Sequence, residues 1–230
     1  MIQIRNLHLK FVREYYALYD INFSVAPTES VALVGQENSG KTTLLRVIAG
    51  LENFCNGEVY VKGISIKKIN FASDVSMGYI PESPVFLGKK TVYENFKALL
   101  KSRKVNEKQI EDQINKALID FNIERLKDVK AKDLSLFDGY LVSFIRLSFR
   151  TLDIALVDNI FEKLNEKQIE IIINLITKMF LEKKVTTIVA TSSEQIAKRV
   201  AGKVAYFVNG TLEKVESNDK KVVKNVKPKI

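Results

Sequence analysis

Glycine, lysine and threonine occur in residues 35–43 with a spacing that suits the binding of a phosphate group. The segment reads Gly-Gln-Glu-Asn-Ser-Gly-Lys-Thr-Thr and fits the pattern G-x-x-x-x-G-K-[ST] without a mismatch. Backbone N–H groups of such a loop, together with the positive end of the helix that follows, face an anion. We expect Lys41 to add a positive charge toward the β- and γ-phosphates of a nucleotide, and the Thr42 hydroxyl to ligate Mg²⁺. The candidate binding residues of this loop are Gly35, Asn38, Ser39, Gly40, Lys41, Thr42 and Thr43.

The sequence on either side of this loop predicts the strand and the helix that hold it. Residues 30–34 are a short apolar run with β-branched side chains, and residues 44–49 are a helical run. Position 38, where many such loops have glycine, is Asn, the residue other than glycine that best tolerates a left-handed backbone. A chance glycine-rich turn is the alternative, and the flanking strand and helix argue against it.

The composition predicts one large α/β domain, or a domain with a subdomain. The chain has 230 residues, few Gly and Pro residues, and no internal repeat. No apolar run is long enough to span a bilayer, and the first residues begin an alternating strand instead of a signal peptide. We therefore expect a soluble, intracellular protein. Because Cys55 is the only cysteine and His8 the only histidine, neither an internal disulfide nor a Cys/His metal site is expected.

The net charge of +9 leaves two interpretations of the basic residues open. Part of the charge lies in residues 216–230, which contain Pro228 and little that could be buried. We expect these residues to form a solvated, disordered tail. An arm that binds nucleic acid or an anionic membrane surface is the alternative, and the lack of a basic patch with interleaved aromatic residues disfavours nucleic acid. The lysines of this segment are Lys220, Lys221, Lys224, Lys227 and Lys229.

Alternating apolar and polar residues in the first part of the chain predict an antiparallel sheet. The predicted strand segments are residues 2–9, 20–26 and 57–66. Residues 11–16 read Phe-Val-Arg-Glu-Tyr-Tyr, and we expect them to form an aromatic-rich loop between the first two strands. We favour Phe11 as a ring that stacks on an adenine base. The alternative is that an aromatic ring here, Tyr15 or Tyr16, simply packs on the sheet.

A run of helices interrupts the alternation of strands and helices that the rest of the chain shows. The predicted helices are residues 91–103, 106–121, 123–129 and 138–150. The alternation elsewhere predicts a parallel sheet covered on both faces. We therefore expect an α/β fold with an N-terminal antiparallel β subdomain and a core built on a parallel sheet. A helical subdomain of about residues 91–150 is expected to be inserted into this core.

A buried strand, residues 153–158, ends in a carboxylate. Asp158 lies where a protein with a phosphate-binding loop needs an Asp to hold the water shell of Mg²⁺. Thr42 and Asp158 are therefore the candidate metal-binding residues. The pattern then predicts helices at residues 166–181 and 194–200 and strands at 185–190 and 203–208.

These motifs together give residues 1–215 a resemblance to the ATP-binding subunit of ABC (ATP-binding cassette) transporters. Residues 77–82, Met-Gly-Tyr-Ile-Pro-Glu, resemble the strand that leads into the family's Q-loop, and residues 91–95 resemble the helix start that follows it. Residues 134–135 begin the family's signature, and the strand 153–158 is similar to its Walker B strand. The resemblance implies a P-loop NTPase core that binds ATP and Mg²⁺.

The resemblance fails at the positions that carry catalysis in the family. The signature reads Leu-Ser-Leu-Phe-Asp at residues 134–138, where the family has Leu-Ser-Gly-Gly-Gln. In the family, the backbone of this segment approaches the γ-phosphate held by the other subunit of the dimer. The bulky Leu136 and Phe137 are expected to block that approach, and Asp138 is expected to repel the phosphate. Asn159 is at the position of the family's catalytic Glu, Ser192 at that of its switch His, and Glu82 at that of its Q-loop Gln. An amide can orient a water but cannot accept its proton, and losing a general base costs ~10²- to 10⁴-fold in rate.

The resemblance thus implies a subunit that binds Mg-ATP, with Glu82 and Asp158 beside the loop, while hydrolysis is impaired or absent. Such a subunit would act at the inner face of the cell membrane as the nucleotide-dependent partner of a membrane-spanning permease. A second ATP-binding subunit, identical or different, would complete a dimer. One alternative is an active export ATPase in which Glu82 or another carboxylate replaces the missing base. The other is a soluble regulatory module of the same superfamily.

Overall fold

The computed structural model describes residues 1–12 and 15–218, which form ten strands and six α-helices. In chain order the strands are β1 (Ile2–Val12), β2 (Tyr15–Val25), β3 (Ser30–Val34), β4 (Asn56–Val61), β5 (Ile64–Ser65), β6 (Met77–Ile80), β7 (Ile154–Asp158), β8 (Thr186–Thr191), β9 (Lys203–Val208) and β10 (Thr211–Ser217). The α-helices are α1 (Lys41–Ile48), α2 (Val92–Ser102), α3 (Glu107–Asp120), α4 (Leu136–Ser148), α5 (Glu166–Ile176) and α6 (Glu194–Val200). Short 3₁₀ helices cover Glu124–Leu126 and Ala131–Asp133, and α5 continues into a π-helical turn, Thr177–Leu181.

The strands form two sheets. An antiparallel sheet has the order β2-β1-β4-β5, and a six-stranded sheet has the order β10-β9-β3-β8-β7-β6. Neighbouring strands of the six-stranded sheet are parallel, except that β10 is antiparallel to β9. The inner strands β7 and β8 are buried along their whole length, as is typical of a parallel sheet covered on both faces. The predicted α/β class with an N-terminal antiparallel subdomain is confirmed.

Side chains on the two faces of the parallel sheet enter two different hydrophobic clusters. Val31 and Leu33 of β3 pack with the antiparallel sheet and α1. Ala32 and Val34 of the same strand pack with residues of α2 to α6 on the other face. Because β3 is buried from both sides, the loop that follows it starts from a fixed position.

Helices α2, α3 and α4 lie between β6 and β7 in the chain and form the predicted helical insertion. The predicted capping box at the start of α2 is present: the Thr91 hydroxyl accepts a hydrogen bond from the Glu94 N–H (3.1 Å), and the Glu94 carboxylate accepts one from the Thr91 N–H (2.8 Å). Within the described ranges, no helix has the length and apolar character needed to cross a bilayer.

Two predictions near the N-terminus and in the helical region are wrong. Phe11, Tyr15 and Tyr16 lie in strands and not in a loop, because β1 and β2 pair as far as Val12 and Tyr15. Aromatic and β-branched residues favour this extension of the hairpin. Residues 123–129 contain one 3₁₀ turn, Glu124–Leu126, in place of an α-helix, since so short a segment gains few helical hydrogen bonds.

The predicted tail begins later than expected. Glu216 and Ser217 continue β10, because its antiparallel pairing with β9 extends to Lys203. The side chain of Asn218 then donates hydrogen bonds to the carbonyl oxygens of Lys198 and Ala201, both at 2.7 Å. The five lysines of the predicted tail lie outside the described residues.

Candidate nucleotide-binding site

The loop between β3 and α1 depends on residues with a left-handed backbone. Asn38 has a φ of 60°, and Gly40, the N-cap of α1, has a φ of 100°. A Cβ atom on Gly40 would lie 2.8 Å from the carbonyl oxygen of Ala17 in β2. A Cβ atom on Gly35 would lie 2.3 Å from the carbonyl oxygen of Phe207 in β9. Because these neighbours are backbone atoms, the loop packs directly against two strands and cannot accommodate larger residues there.

The Lys41 side chain is held at the centre of this loop. It is 3% exposed, and its Nζ donates hydrogen bonds to the carbonyl oxygens of Gly35 (2.8 Å) and Gln36 (2.7 Å) and to Ser39 Oγ (3.0 Å). Burial lowers the pKa of Lys41, and nearby carboxylates, Glu162 foremost, oppose that decrease. A cation already fixed by these acceptors loses little conformational freedom when an anion binds, which favours binding.

Asp158 accepts a hydrogen bond on each of its two carboxylate oxygens. Thr42 Oγ1 donates to Oδ1 and the Tyr79 hydroxyl donates to Oδ2, both at 2.8 Å. Asp158 is 1% exposed, and burial raises its pKa while these two hydrogen bonds oppose the increase. Burial, followed by the charge of Asp158, also raises the pKa of Tyr79, so the phenol keeps its proton and remains a donor.

Thr42 and Asp158 fit a Mg²⁺ ion. Their hydroxyl and carboxylate oxygens are hard donors of the kind that this ion prefers, and they already lie within hydrogen-bond distance of each other. Elsewhere in the described part of the chain, no three His, Cys, Asp or Glu side chains cluster in a way that could hold a metal. Mg²⁺ is usually bound by one or two protein ligands together with phosphate and water, which is consistent with this pair.

The residue after Asp158 has a buried oxygen with no partner. Asn159 has a φ of 49°, and its N–H donates to the carbonyl oxygen of Ala190 (3.0 Å), which fixes its backbone beside β8. Its side-chain oxygen Oδ1 is buried and has no hydrogen bond with any described residue. An unpaired buried acceptor of this kind is available to a donor on a ligand or a water.

Glu162 and Lys163 connect the segments that follow β6, β7 and β8. Glu162 Oε1 accepts a hydrogen bond from the Ser192 N–H (3.0 Å), and Lys163 Nζ lies 3.6 Å from Glu82 Oε1. Both contacts are at the surface. Ser192, at the position of the family's switch His, therefore contacts Glu162, and Glu82, at the position of its Q-loop Gln, contacts the adjacent Lys163.

A single pocket of about 740 Å³ brings most of the predicted site residues together. Gly35 and Asp158 do not line it, because Gly35 packs against Phe207 and Asp158 is buried beneath Thr42. It forms where the parallel strands end, the usual place for a ligand in such a sheet. The lining residues are Phe11, Tyr15, Ala17, Glu37, Asn38, Ser39, Gly40, Lys41, Thr42, Thr43, Glu82, Asn159, Glu162, Lys163 and Ser192.

The three aromatic residues of the segment 11–16 have different positions. Phe11 and Tyr15 line the pocket and are 58% and 53% exposed, so both rings are accessible. Tyr16 packs on the sheet instead, with its ring 5.8 Å from that of His8 and 5.0 Å from that of Tyr19. Tyr16 thus packs on the sheet as the alternative expected, whereas Tyr15 is accessible and becomes a second candidate for stacking beside Phe11.

Sequence reasoning gave no site role to Ala17, Glu37 or Tyr79, and it identified Glu162 and Lys163 only as part of residues 162–165, which align with the family's D-loop and differ from it. Tyr79 is in β6, which pairs with the strand that ends in Asp158. Its hydroxyl is the only polar side-chain group in the run Met77–Ile80, and this could have indicated a polar partner nearby. Glu162 and Lys163 follow Asp158 closely in the chain, but nothing in their spacing indicates a contact with Ser192 or Glu82.

The signature-like segment begins α4. Ser135 is its N-cap and accepts a hydrogen bond from the Asp138 N–H (3.1 Å), so α4 starts at Leu136, two residues earlier than predicted. The Asp138 carboxylate accepts hydrogen bonds from the Ser135 hydroxyl (2.7 Å) and from Arg125 (2.6 Å). Because the Arg125 cation compensates its charge, the expected repulsion of a phosphate by Asp138 is weakened. Leu136 and Phe137 are partly buried against the core of the helical subdomain.

The order strand, phosphate-binding loop, helix, together with a carboxylate at the end of β7, defines a P-loop NTPase core. The sequence profile of the family described as "ABC transporter" matches residues 18–162. The chain belongs to the ABC transporter family. ATP-binding domains of this family bind ATP, generally with Mg²⁺, and such subunits dimerise and work with membrane permease subunits.

Curated relatives of the chain are import ATP-binding proteins. It is 26% identical over 231 residues to the methionine import ATP-binding protein MetN of Clostridioides difficile, covering 99% of this chain and 72% of MetN. It is 28% identical over 220 residues to the sulfate/thiosulfate import ATP-binding protein CysA of Burkholderia mallei, covering 94% of this chain and 62% of CysA. The chain thus spans about two thirds of the length of these relatives.

Solved structures of ATP-binding cassettes share the fold. The dimeric, post-hydrolysis structure of the cassette MJ0796 bound to ADP and Pi has a TM-score of 0.84 at 23% identity, covering 94% of this chain and 98% of that one. The structure of cbiO1 from Clostridium perfringens, part of the ABC transporter complex cbiONQ, has a TM-score of 0.80 at 22% identity. That match covers 96% of this chain and 89% of cbiO1.

Proposed function

We propose that this chain is the ATP-binding subunit of an ABC transporter complex, and that it binds Mg-ATP but hydrolyses it slowly or not at all. One observation carries the proposal. Lys41 and Asp158 are buried and Thr42 is partly buried, and all three are hydrogen-bonded and suited to phosphate and Mg²⁺, whereas an amide, Asn159, follows Asp158. Binding and hydrolysis are thereby separated within one pocket.

Slow hydrolysis follows from the chemistry of the residues beside the loop. Asn159 has no basic group that could take a proton from an attacking water. Ser192 has a short side chain where the family has a histidine that touches the γ-phosphate, and Glu82 is paired with Lys163. Each of these changes removes a transition-state interaction and leaves the phosphate-binding loop intact.

A permease partner is supported by an apolar groove beside the Glu82 segment. The groove has a volume of about 310 Å³, and its rim includes Val85 and Leu87, which are 65% and 57% exposed. Exposed apolar side chains around a groove suit the docking of another protein, and the family resemblance implies permease contacts near the Glu82 segment. Leu87→Glu should weaken association with permease-containing membranes without changing the affinity for ATP. The groove residues are Val85, Phe86, Leu87, Asn95, Phe96, Ala98, Leu99 and Arg146.

The second subunit of the dimer is proposed to be a different, hydrolytically competent chain. A homodimer would contain two pockets that each have Asn159, together with two signatures in which Leu136 and Phe137 replace glycines. A competent partner would supply a catalytic Glu, a switch His and an unaltered signature, all of which this chain lacks. Because the relatives described above carry import names, we favour import over the export alternative, with the chain at the inner face of the cell membrane.

The test is to measure the affinities for ATP and ADP with Mg²⁺, and the turnover of ATP, on the wild type and on Lys41→Ala and Asn159→Glu. Lys41→Ala should weaken binding by about 100-fold or more, because two carbonyl oxygens and the phosphates lose a buried cation. Asn159→Glu should raise turnover by ~10²-fold or more by restoring a base. Lys183→Ala, which changes an exposed lysine outside the pocket, is the matched control. Wild-type turnover in the usual range of ~1 to 10³ s⁻¹ would contradict slow hydrolysis.

Two further measurements, the turnover of Glu82→Gln and the affinity for nucleic acid, separate the alternatives. An active ATPase that uses Glu82 as its base predicts rapid turnover that Glu82→Gln abolishes. A regulatory module that binds nucleic acid predicts an affinity for DNA or RNA that falls steeply with salt. Nucleotide binding without turnover and without nucleic-acid binding supports the transporter subunit.

A further inference from the structure

We propose that Glu162 is the proton acceptor for the slow ATP hydrolysis of this chain and performs the step that Asn159 cannot. The inference rests on the proposed function, since it needs ATP in the pocket next to Lys41. The inference is based on the position of the Glu162 carboxylate, which lines the pocket but is not part of the phosphate-binding motif, residues 35–43. Glu162 would be a catalytic residue, because it would contact the attacking water directly.

One oxygen of the exposed Glu162 carboxylate is held by a hydrogen bond at the pocket wall. Glu162 lines the same pocket as Lys41, Thr42 and Asn159. Its Oε1 accepts a hydrogen bond from the Ser192 N–H at 3.0 Å, which holds the carboxylate at the end of β8. Of the carboxylates that raise the pKa of Lys41, Glu162 has the largest effect, which indicates that it lies near the ammonium group.

The second oxygen of Glu162 remains available for a proton. Within residues 1–12 and 15–218, no hydrogen bond or ion pair uses Glu162 Oε2. A general base needs an acceptor that can reach the proton and is not already saturated. One anchored oxygen and one unpaired oxygen satisfy both conditions.

The other three carboxylates near the loop are less suited to this role. Asp158 accepts hydrogen bonds on both oxygens, from Thr42 and Tyr79, and is the candidate Mg²⁺ ligand. Glu82 is paired with the Lys163 cation at 3.6 Å. Glu37 is part of the phosphate-binding loop itself. Of the three carboxylates that oppose the decrease in the pKa of Lys41, Glu37 has the weakest effect.

Asn159 and Glu162 together provide acceptors for both protons of a water. Asn159 lines the pocket, and its Oδ1, which is buried and has no partner among the described residues, would turn toward the water and accept one O–H, while Glu162 Oε2 would accept the other. The water oxygen then forms a bond to the γ-phosphorus, and its proton passes to the Glu162 carboxylate. The bond from the γ-phosphorus to the bridging oxygen breaks with its electron pair on ADP, so the products are ADP and inorganic phosphate.

The experiment is a single-turnover assay with protein in excess over [γ-³²P]ATP and Mg²⁺. Glu162→Gln should lower the rate of phosphate release by ~10²- to 10⁴-fold, and Glu162→Asp should lower it less. The affinity for a non-hydrolysable ATP analogue should stay the same, because the amide keeps the hydrogen bond to Ser192. Glu166→Gln is the matched control, since it removes an exposed carboxylate near the same segment and outside the pocket.

Two further results decide the role. Asn159→Glu combined with Glu162→Gln should restore phosphate release, which shows that the defect is a missing carboxylate and not a damaged fold. Three results would each overturn the role of Glu162: a wild-type rate no higher than that of Lys41→Ala, an unchanged rate in Glu162→Gln, or parallel losses of rate and analogue affinity.

The outcomes also separate this inference from the proposed function. Rapid wild-type turnover that Glu162→Gln abolishes would support Glu162 as the base and contradict slow hydrolysis. Slow turnover that Glu162→Gln leaves unchanged would support slow hydrolysis and contradict Glu162 as the base.

Discussion

The two sides of the nucleotide pocket are built in different ways. On the loop side, the functional groups are buried and multiply hydrogen-bonded: Lys41 donates to three acceptors and Asp158 accepts from two donors. On the opposite side, Glu82, Glu162 and Ser192 are exposed, and single contacts join them to neighbouring segments. The part that binds phosphate and metal is preorganised, whereas the residues at the family's Q-loop and switch positions form a surface network with Glu162 and Lys163.

This contrast has an energetic consequence. A hydrogen bond to a buried charged group contributes about 1.5–3 kcal/mol, whereas an exposed ion pair contributes about 0–1 kcal/mol. Changes on the loop side should therefore lower stability and nucleotide affinity together. Changes on the opposite side should alter the rate of hydrolysis while stability stays nearly constant.

The largest effect is expected at Gly40. Gly40→Ala places a Cβ atom 2.8 Å from the Ala17 carbonyl oxygen at a φ of 100°, so strain and a backbone clash add. We expect the free energy of unfolding to fall by about 2–4 kcal/mol, together with a loss of ATP affinity of about tenfold or more. Urea denaturation and calorimetric titration measure the two quantities.

Gly63→Ala is the matched control for this change. Gly63 also has a positive φ, 79°, but a Cβ atom there would meet nothing within 4 Å. It should cost only about 1 kcal/mol and leave ATP binding unaffected. Equal losses for the two variants would mean that the tight packing of the loop against β2 does not matter.

A smaller effect is expected at Tyr79. Tyr79→Phe removes the donor to Asp158 Oδ2 and leaves a buried carboxylate with one hydrogen bond in place of two. The free energy of unfolding should fall by about 1.5–3 kcal/mol at pH 7. Tyr206→Phe, which removes an exposed hydrogen bond to Glu194, should cost about 0.5 kcal/mol or less. A similar cost for both would contradict the contrast between buried and exposed contacts.

The Tyr79 hydrogen bond also predicts a pH dependence. Burial raises the pKa of Tyr79 above its unfolded value of about 10, so folding favours the protonated phenol. Its contribution to stability is fully present below pH 10 and is lost as the pH rises through the folded-state pKa. The difference in unfolding free energy between the wild type and Tyr79→Phe should therefore shrink above about pH 10.

The sequence could predict the loop side of the pocket because its information is local. The positions from Gly35 to Thr43 are fixed by a short pattern, and the flanking apolar runs predict the strand and the helix. The contact between Glu162 and Ser192 joins residues 30 apart, and that between Tyr79 and Asp158 joins residues 79 apart. Both depend on the order β6-β7-β8 in the sheet, which hydrophobic periodicity does not determine.

The predicted aromatic loop was wrong for a related reason. Arg13 and Glu14, which lie outside the described residues, make the segment polar at its centre and suggest a loop. The pairing of Lys10 with Tyr16 and of Val12 with Tyr15 extends β1 and β2 as far as these two residues. Cross-strand pairing decided the structure of this segment, and local composition did not.

The smallest effect is expected at Phe11, and it tests whether an exposed residue of the pocket contributes to binding at all. If adenine stacks on Phe11, Phe11→Ala should weaken ATP binding by about 0.5–1.5 kcal/mol, or roughly 2- to 10-fold. Binding of inorganic tripolyphosphate should not change, because it has no base to stack. Calorimetric titration of both ligands measures the difference.

Tyr15→Ala separates the two accessible rings. Tyr15 lines the same pocket and is about as exposed as Phe11, so the two variants remove similar areas from similar positions. A loss of ATP affinity in Tyr15→Ala alone would transfer the stacking role to Tyr15. A loss in neither variant would mean that affinity comes from the buried phosphate-binding loop by itself. In that case the contrast between the two sides would extend to the whole rim of the pocket, with binding confined to the buried groups around Lys41.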